Sequence, residues 1–152
     1  MESFNMTINF YKVKEPYGDF SNFSDHPVVL KGKVWPTTEH YFQAQKFSGT
    51  VHEESIRLTK TPGEAAQMGR DRSLPLRKDW ESVKNSVMKE ALLSKIEHYP
   101  RIKDLLMSTG NNSIVEHTIN DSYWGDGGDG SGKNMLGILW MEIREELKKV
   151  QM

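Results

Sequence analysis

The chain has 152 residues, a formal net charge of -1, 36% hydrophobic and 27% charged residues, and no cysteine. This size and balance suit one helix-and-sheet globular domain over residues 1–152. The missing cysteines exclude disulfides, thiolate nucleophiles and cysteine-held metal, and the near-neutral charge lacks the basic character of a dedicated DNA-binding domain. No apolar run approaches the roughly 20 residues that cross a bilayer. The start, MESFNMTINFYK, has no basic segment leading into an apolar core, so a cytoplasmic protein without a membrane partner is expected.

Residues 6–11 alternate and are β-prone, predicting a first strand. A turn-rich loop follows from Glu15 to Asp25. Val28–Leu30 and Lys33–Trp35 flank Lys31-Gly32 and read as a hairpin. Thr37 or Thr38 caps a helix running to about Phe47. A second helix is expected over Val51–Leu58, and a third from Thr61-Pro62 to Gly69, with the proline in its first turn. After Leu74-Pro75-Leu76, the longest helix spans about Asp79 to His98. Its buried stripe is Val83, Val87, Met88, Ala91, Leu92 and Ile96. Pro100 starts a short helix through Met107, and Gly110-Asn111-Asn112 ends it. Ile114–Thr118 reads as a strand, and Trp124–Gly137 as a glycine-rich loop. A last helix from about Asn134 to Lys149 buries Leu136, Leu139, Trp140, Ile143 and Leu147. The fold class is α+β: helix-rich, with a small β-sheet.

The stretch WPTTEHYFQAQKF, Trp35–Phe47, carries the strongest chemical signal. Glu39, Gln43 and Lys46 are spaced by four and three residues, so they share one helical face. A carboxylate and an amine on one face can do acid/base or Schiff-base chemistry. A solvated salt-bridge face is the plainer reading of such spacing. The interleaved Tyr41, Phe42 and Phe47 argue against it, because they make the helix apolar nearly all round.

Arg70, Arg72, Arg77 and Lys78 form a basic patch that could serve phosphate on a small substrate or a polymer; a solvated charged turn explains it equally well. In Asp19–Ser24, Phe20 and Phe23 flank Asn22, whose amide could point from an apolar wall into a pocket. Spacing alone favours a turn with two core phenylalanines. The loop WGDGGDGSGKN begins at Trp124 and ends at a helix start, where free amides attract anions. It matches neither a Walker loop nor an EF-hand, and its GxGxxG lacks the βαβ context of a dinucleotide site. Tyr123-Trp124 before it offers a stacking platform. The five histidines show no zinc spacing, so no metal or cofactor is expected. His40 reads as a structural hydrogen-bonder, and His117 is given no role.

Together, SNFS, WPTTEHYFQAQKF, MGRDRSLPLRKDWESVKNSVM and WGDGGDGSGKNMLGILWMEIRE resemble the NADAR family, especially its YbiA-like branch. The resemblance runs from about Ile8 to Leu147. It implies an α+β fold and an N-glycosidase that cleaves the bond between ribose C1′ and an amino nitrogen. The implied substrates are phosphorylated ribosylaminopyrimidines of riboflavin synthesis. Alternatively, the target is ADP-ribose on guanine bases of nucleic acid, or the domain binds ADP-ribose without cleaving it. By motif, Glu39, Lys46 and Asp126 carry over as catalytic residues. Asn22, Phe23, Arg70, Trp124, Gly125, Gly127 and Asn134 carry over or are assigned as substrate-binding residues. Trp140 stands where the family usually has a smaller apolar residue. The sequence leaves the oligomeric state open.

Overall fold

The computed structural model describes residues 6–150. Of the amino-terminal reading, residues 1–5 lie outside this range. The described residues form six α-helices, a short 3-10 helix (Gly18–Phe20) and four strands in an α+β arrangement. They fall into two compact units: residues 22–98 form one, and the segments up to Ser21 and from Tyr99 form the other.

The 22–98 unit opens with a hairpin that follows the expected boundaries. To number the strands in chain order, β1 is Thr7–Phe10, β2 is Val28–Leu30, β3 is Lys33–Trp35 and β4 is Ser113–Glu116. β2 and β3 pair antiparallel, Val28 opposite Trp35. Lys31 and Gly32 between them both have positive φ (55° and 70°), the backbone a two-residue hairpin turn requires. Four helices follow: α1 (Thr38–Gln45), α2 (Val51–Arg57), α3 (Pro62–Gly69) and α4 (Trp80–His98). Thr37, Thr50 and Thr61 each cap a helix, their hydroxyls accepting from His40, His52 and Glu64 N–H. All eight residues of α1 are buried. The core around it contains Val28, Trp35, Tyr41, Ala44, Phe47, Ile56, Ala65 and Ala91. In α4, Met88, Ala91, Leu92 and Ile96 of the expected stripe are buried.

In the other unit, β1 pairs with β4 in parallel, Thr7 opposite Ser113. The four strands therefore lie in two ribbons of two. Helix α6 (Met135–Val150) packs along β4, and α5 (Pro100–Ser108) packs on α6. Gly137 makes that approach possible, because a Cβ there would meet the Ile114 carbonyl oxygen at 2.0 Å. Phe20 centres the core, with ring centroids 5.9 Å from Phe10 and 5.2 Å from Trp140. The Trp140 indole also donates to the Phe20 carbonyl at 3.0 Å, so the large residue at this position is accommodated by packing and by a hydrogen bond.

Candidate active site

Helix α1 sets the geometry of the 22–98 unit. Thr37 fixes its start, and the loop after α3 docks on its end, with Arg77 N–H donating to the Lys46 carbonyl at 3.0 Å. Glu39 and Lys46 are both buried, 8% and 7% exposed, so the face they share is not a solvated one. Gln43, between them, donates its Nε2 to Glu39 Oε2 at 2.7 Å. Its Oε1 is the buried side-chain oxygen that lacks a hydrogen-bond partner among the described residues. That oxygen lies over Gly69, where a Cβ would sit 1.9 Å away. Gly69 thus lets the end of α3 close on α1.

The Lys46 amine is enclosed. Its Nζ donates to the Gly69 carbonyl at 3.3 Å and lies 5.7 Å and 5.9 Å from the ring centroids of Phe42 and Trp80. Burial and the nearby Arg72, Arg70 and Lys84 outweigh the opposing charge of Glu39, so the amine falls from its usual range to about 8. A tenth or so of such an amine is unprotonated at pH 7, against well under a thousandth of an ordinary lysine. This is the state a nucleophilic lysine needs.

The other expected residues of this unit take different places. Asn22 is buried and its amide turns inward. Its Oδ1 accepts from Thr38 Oγ1 at 2.7 Å, and its Nδ2 contacts Met88 Sδ at 3.3 Å. Its carbonyl accepts from Glu39 N–H at 3.2 Å. Asn22 thus anchors the start of α1, where the sequence suggested an amide aimed into a pocket. Phe23 is 44% exposed beside it. Arg70 is exposed at the end of α3. Of the basic patch, Arg77 is engaged by Asp79 (2.6 Å) and leaves the cluster around Lys46 to Arg70 and Arg72.

In the other unit the glycine loop is a folded scaffold. Asp126 accepts three hydrogen bonds: from the His117 ring at 2.7 Å, Thr118 N–H at 3.0 Å and Gly128 N–H at 2.9 Å. Burial pushes this carboxyl up, but those bonds prevail and hold it below its usual range. It therefore stays a carboxylate, better suited to accept protons than to donate them. Asn134, at φ 52°, receives Glu116 N–H on its Oδ1 and donates to the Ile114 carbonyl, both at 2.9 Å.

The anion cradle expected from the glycines is not what this loop forms. Gly127 N–H donates to Asp121, Gly132 N–H to Asp126, Met135 N–H to Tyr123 and Leu136 N–H to Trp124. The amides of the loop and of the first turn of α6 are thus largely satisfied within the chain. Gly125 is there for space, since a Cβ would meet the Asp121 carbonyl at 2.8 Å. Trp124 stands edge-on to Tyr123, 4.9 Å between centroids. Beside the loop is a cleft of about 590 Å³ whose lining includes Asn9, His117, Asp126, Asp129 and Asn134. The sequence assigns His117 no role; it follows β4 directly, and the partner that engages it, Asp126, stands nine residues further on, beyond any local pattern. His40 is structural as expected, with its ring bonded to Thr37 and to the Thr59 carbonyl. Among the described residues, no group of three His, Asp or Glu side chains is placed to hold a metal ion, and no helix is long and apolar enough to cross a membrane.

A buried Glu–Gln–Lys helix face in one unit and an aspartate-clasped glycine loop in the other are the two settings of the sequence motifs. Residues 9–148 match the NADAR domain, and the chain belongs to that family. It is 57% identical over 140 residues to N-glycosidase YbiA of Escherichia coli (strain K12), covering 92% of this chain and 88% of that protein. The solution NMR structure of E. coli YbiA superposes with a TM-score of 0.90 at 54% identity, covering 97% of this chain and 88% of that one. The riboflavin biosynthesis protein PYRR of Zea mays is 41% identical over 155 residues, which is 92% of this chain and 25% of that protein.

Proposed function

We propose that this chain is an N-glycosidase that hydrolyses the C1′–N bond of phosphorylated ribosylaminopyrimidines, the intermediates of riboflavin synthesis. The names of its relatives support the bond type and the riboflavin connection. One observation carries the mechanism: a lysine held near pH 8 on the same buried helix face as a carboxylate.

A ribosylamine can open its ring to an imine. Lys46 Nζ, as the free amine, adds to C1′. Glu39 takes the two Nζ protons in turn and passes them to the exocyclic nitrogen; the C1′–exocyclic N bond breaks, the amine leaves, and a lysine imine of the ribose phosphate remains. Water adds to C1′, and the C1′–Nζ bond breaks to regenerate the amine and release the sugar. Arg70, exposed beside this face, pairs with the phosphate. Phe23, 44% exposed in the same unit, offers a stacking surface for the base. In the direct hydrolysis that competes with this path, a carboxylate activates the water that attacks C1′.

The test is borohydride trapping during turnover of the ribosylaminopyrimidine phosphate. A ribose-derived adduct on Lys46 is expected, with activity lost in Lys46→Ala. Activity kept in that variant defeats the imine. Arg70→Ala should raise KM for phosphorylated substrate far more than for the dephosphorylated sugar. DNA carrying ADP-ribosylated guanine, run alongside, tests the alternative substrate; faster sugar release from it would replace the pyrimidine assignment.

A further inference from the structure

We propose that Arg72 is a positioning residue for Lys46, sharing the Gly69 carbonyl with it and easing release of a proton from its amine. The role deepens the N-glycosidase reading and rests on it for its catalytic meaning.

The geometry is a shared acceptor. Arg72 Nη1 donates to the Gly69 oxygen at 3.1 Å, and Lys46 Nζ donates to the same oxygen at 3.3 Å. A carbonyl oxygen has two lone pairs, so both donors fit. The oxygen also closes α3, at the negative end of that helix, which favours cationic donors. Two cationic groups are thereby drawn to one atom. A guanidinium does not give up its proton in a protein, whereas a buried ammonium does. The proton lost is therefore that of Lys46.

The surroundings leave this role to Arg72. Facing Lys46 are Glu39 from α1, Arg70 and Arg72 from the end of α3 and the loop after it, and Lys84 from α4. Glu39 favours the ammonium and the three cations oppose it. Among the charged neighbours Arg72 acts most strongly, and of the three cations it is the one seen bonded to the lysine's own acceptor. The division of labour follows: Arg70 is exposed and available to a phosphate, whereas Arg72 is tied back to Gly69. The Gly69 oxygen reaches this place because Gly69 has no Cβ to collide with Gln43.

The experiment reads the amine without turnover. Intact protein is acetylated in competition across pH 6–11, and the modification of Lys46 is followed by peptide mass spectrometry. The wild-type midpoint should lie at about 8. Arg72→Gln should move it up by about one pH unit, and Arg72→Lys should return it close to the wild-type value. In parallel, kcat at pH 7 should fall about tenfold in Arg72→Gln and recover at high pH, with KM little changed. A purely structural loss would lower the whole pH profile without moving its midpoint. An unmoved midpoint in Arg72→Gln overturns the proposal, as does an equal displacement in Arg72→Lys. If the midpoint moves as expected but borohydride traps no adduct, the imine mechanism fails while the pairing of Arg72 with Lys46 stands.

Discussion

Lys46 is a residue whose chemistry opposes its stability. Its amine titrates at about 8 in the folded protein, below the roughly 10.4 of an exposed lysine. The unfolded chain thus binds a proton that the native state has released, across the interval between those values. Stability attributable to this group is lowest below pH 8 and rises as pH climbs toward 10. Lys46→Met, which leaves an apolar side chain against Phe42 and Trp80, should raise the melting temperature at pH 7 by about 2–4 °C. That advantage should shrink by pH 10; a gain that does not vary with pH would mean that burial of the charge is not its source. At this scale the sequence was informative, because Glu39, Gln43 and Lys46 are local in the chain and helical spacing places them together. Gly69, Trp80 and Arg72, which complete the surroundings of the amine, come from α3, α4 and the loop between them. No local pattern joins them to α1.

Elements show the same division. The three threonine caps, the prolines opening α3 and α5, and the positive-φ hairpin turn are all encoded within a few residues, and the structure follows them closely. The glycine loop was harder to read. Its composition suggested amides open to an anion, but the aspartates and carbonyls that absorb those amides cannot be paired with them from composition. Asn134 illustrates the result, since its side chain ties the loop to β4 at two points. Asn134→Ala should lose both bonds and strain the positive-φ backbone, lowering stability by about 2–3 kcal/mol in urea unfolding. A variant as stable as wild type but poor in substrate affinity would return Asn134 to the binding role expected from the family motif.

Across the molecule, the least legible feature was the pairing of β1 with β4. Both strands were expected, but Thr7 and Ser113 are joined by a register that no local signal specifies. Parallel strands need a long connection, and here that connection includes all of the 22–98 unit. The consequence appears during translation. The stretch bearing Lys46 is contiguous and has its own core, so it can close as soon as His98 leaves the ribosome. β1, synthesised first, must wait for β4 to emerge. Nascent chains arrested with residue 98 just outside the exit tunnel should resist protease across 22–98 yet be cut between residues 6 and 21. Early protection of that leading segment would mean that it finds a temporary partner before its permanent one is made.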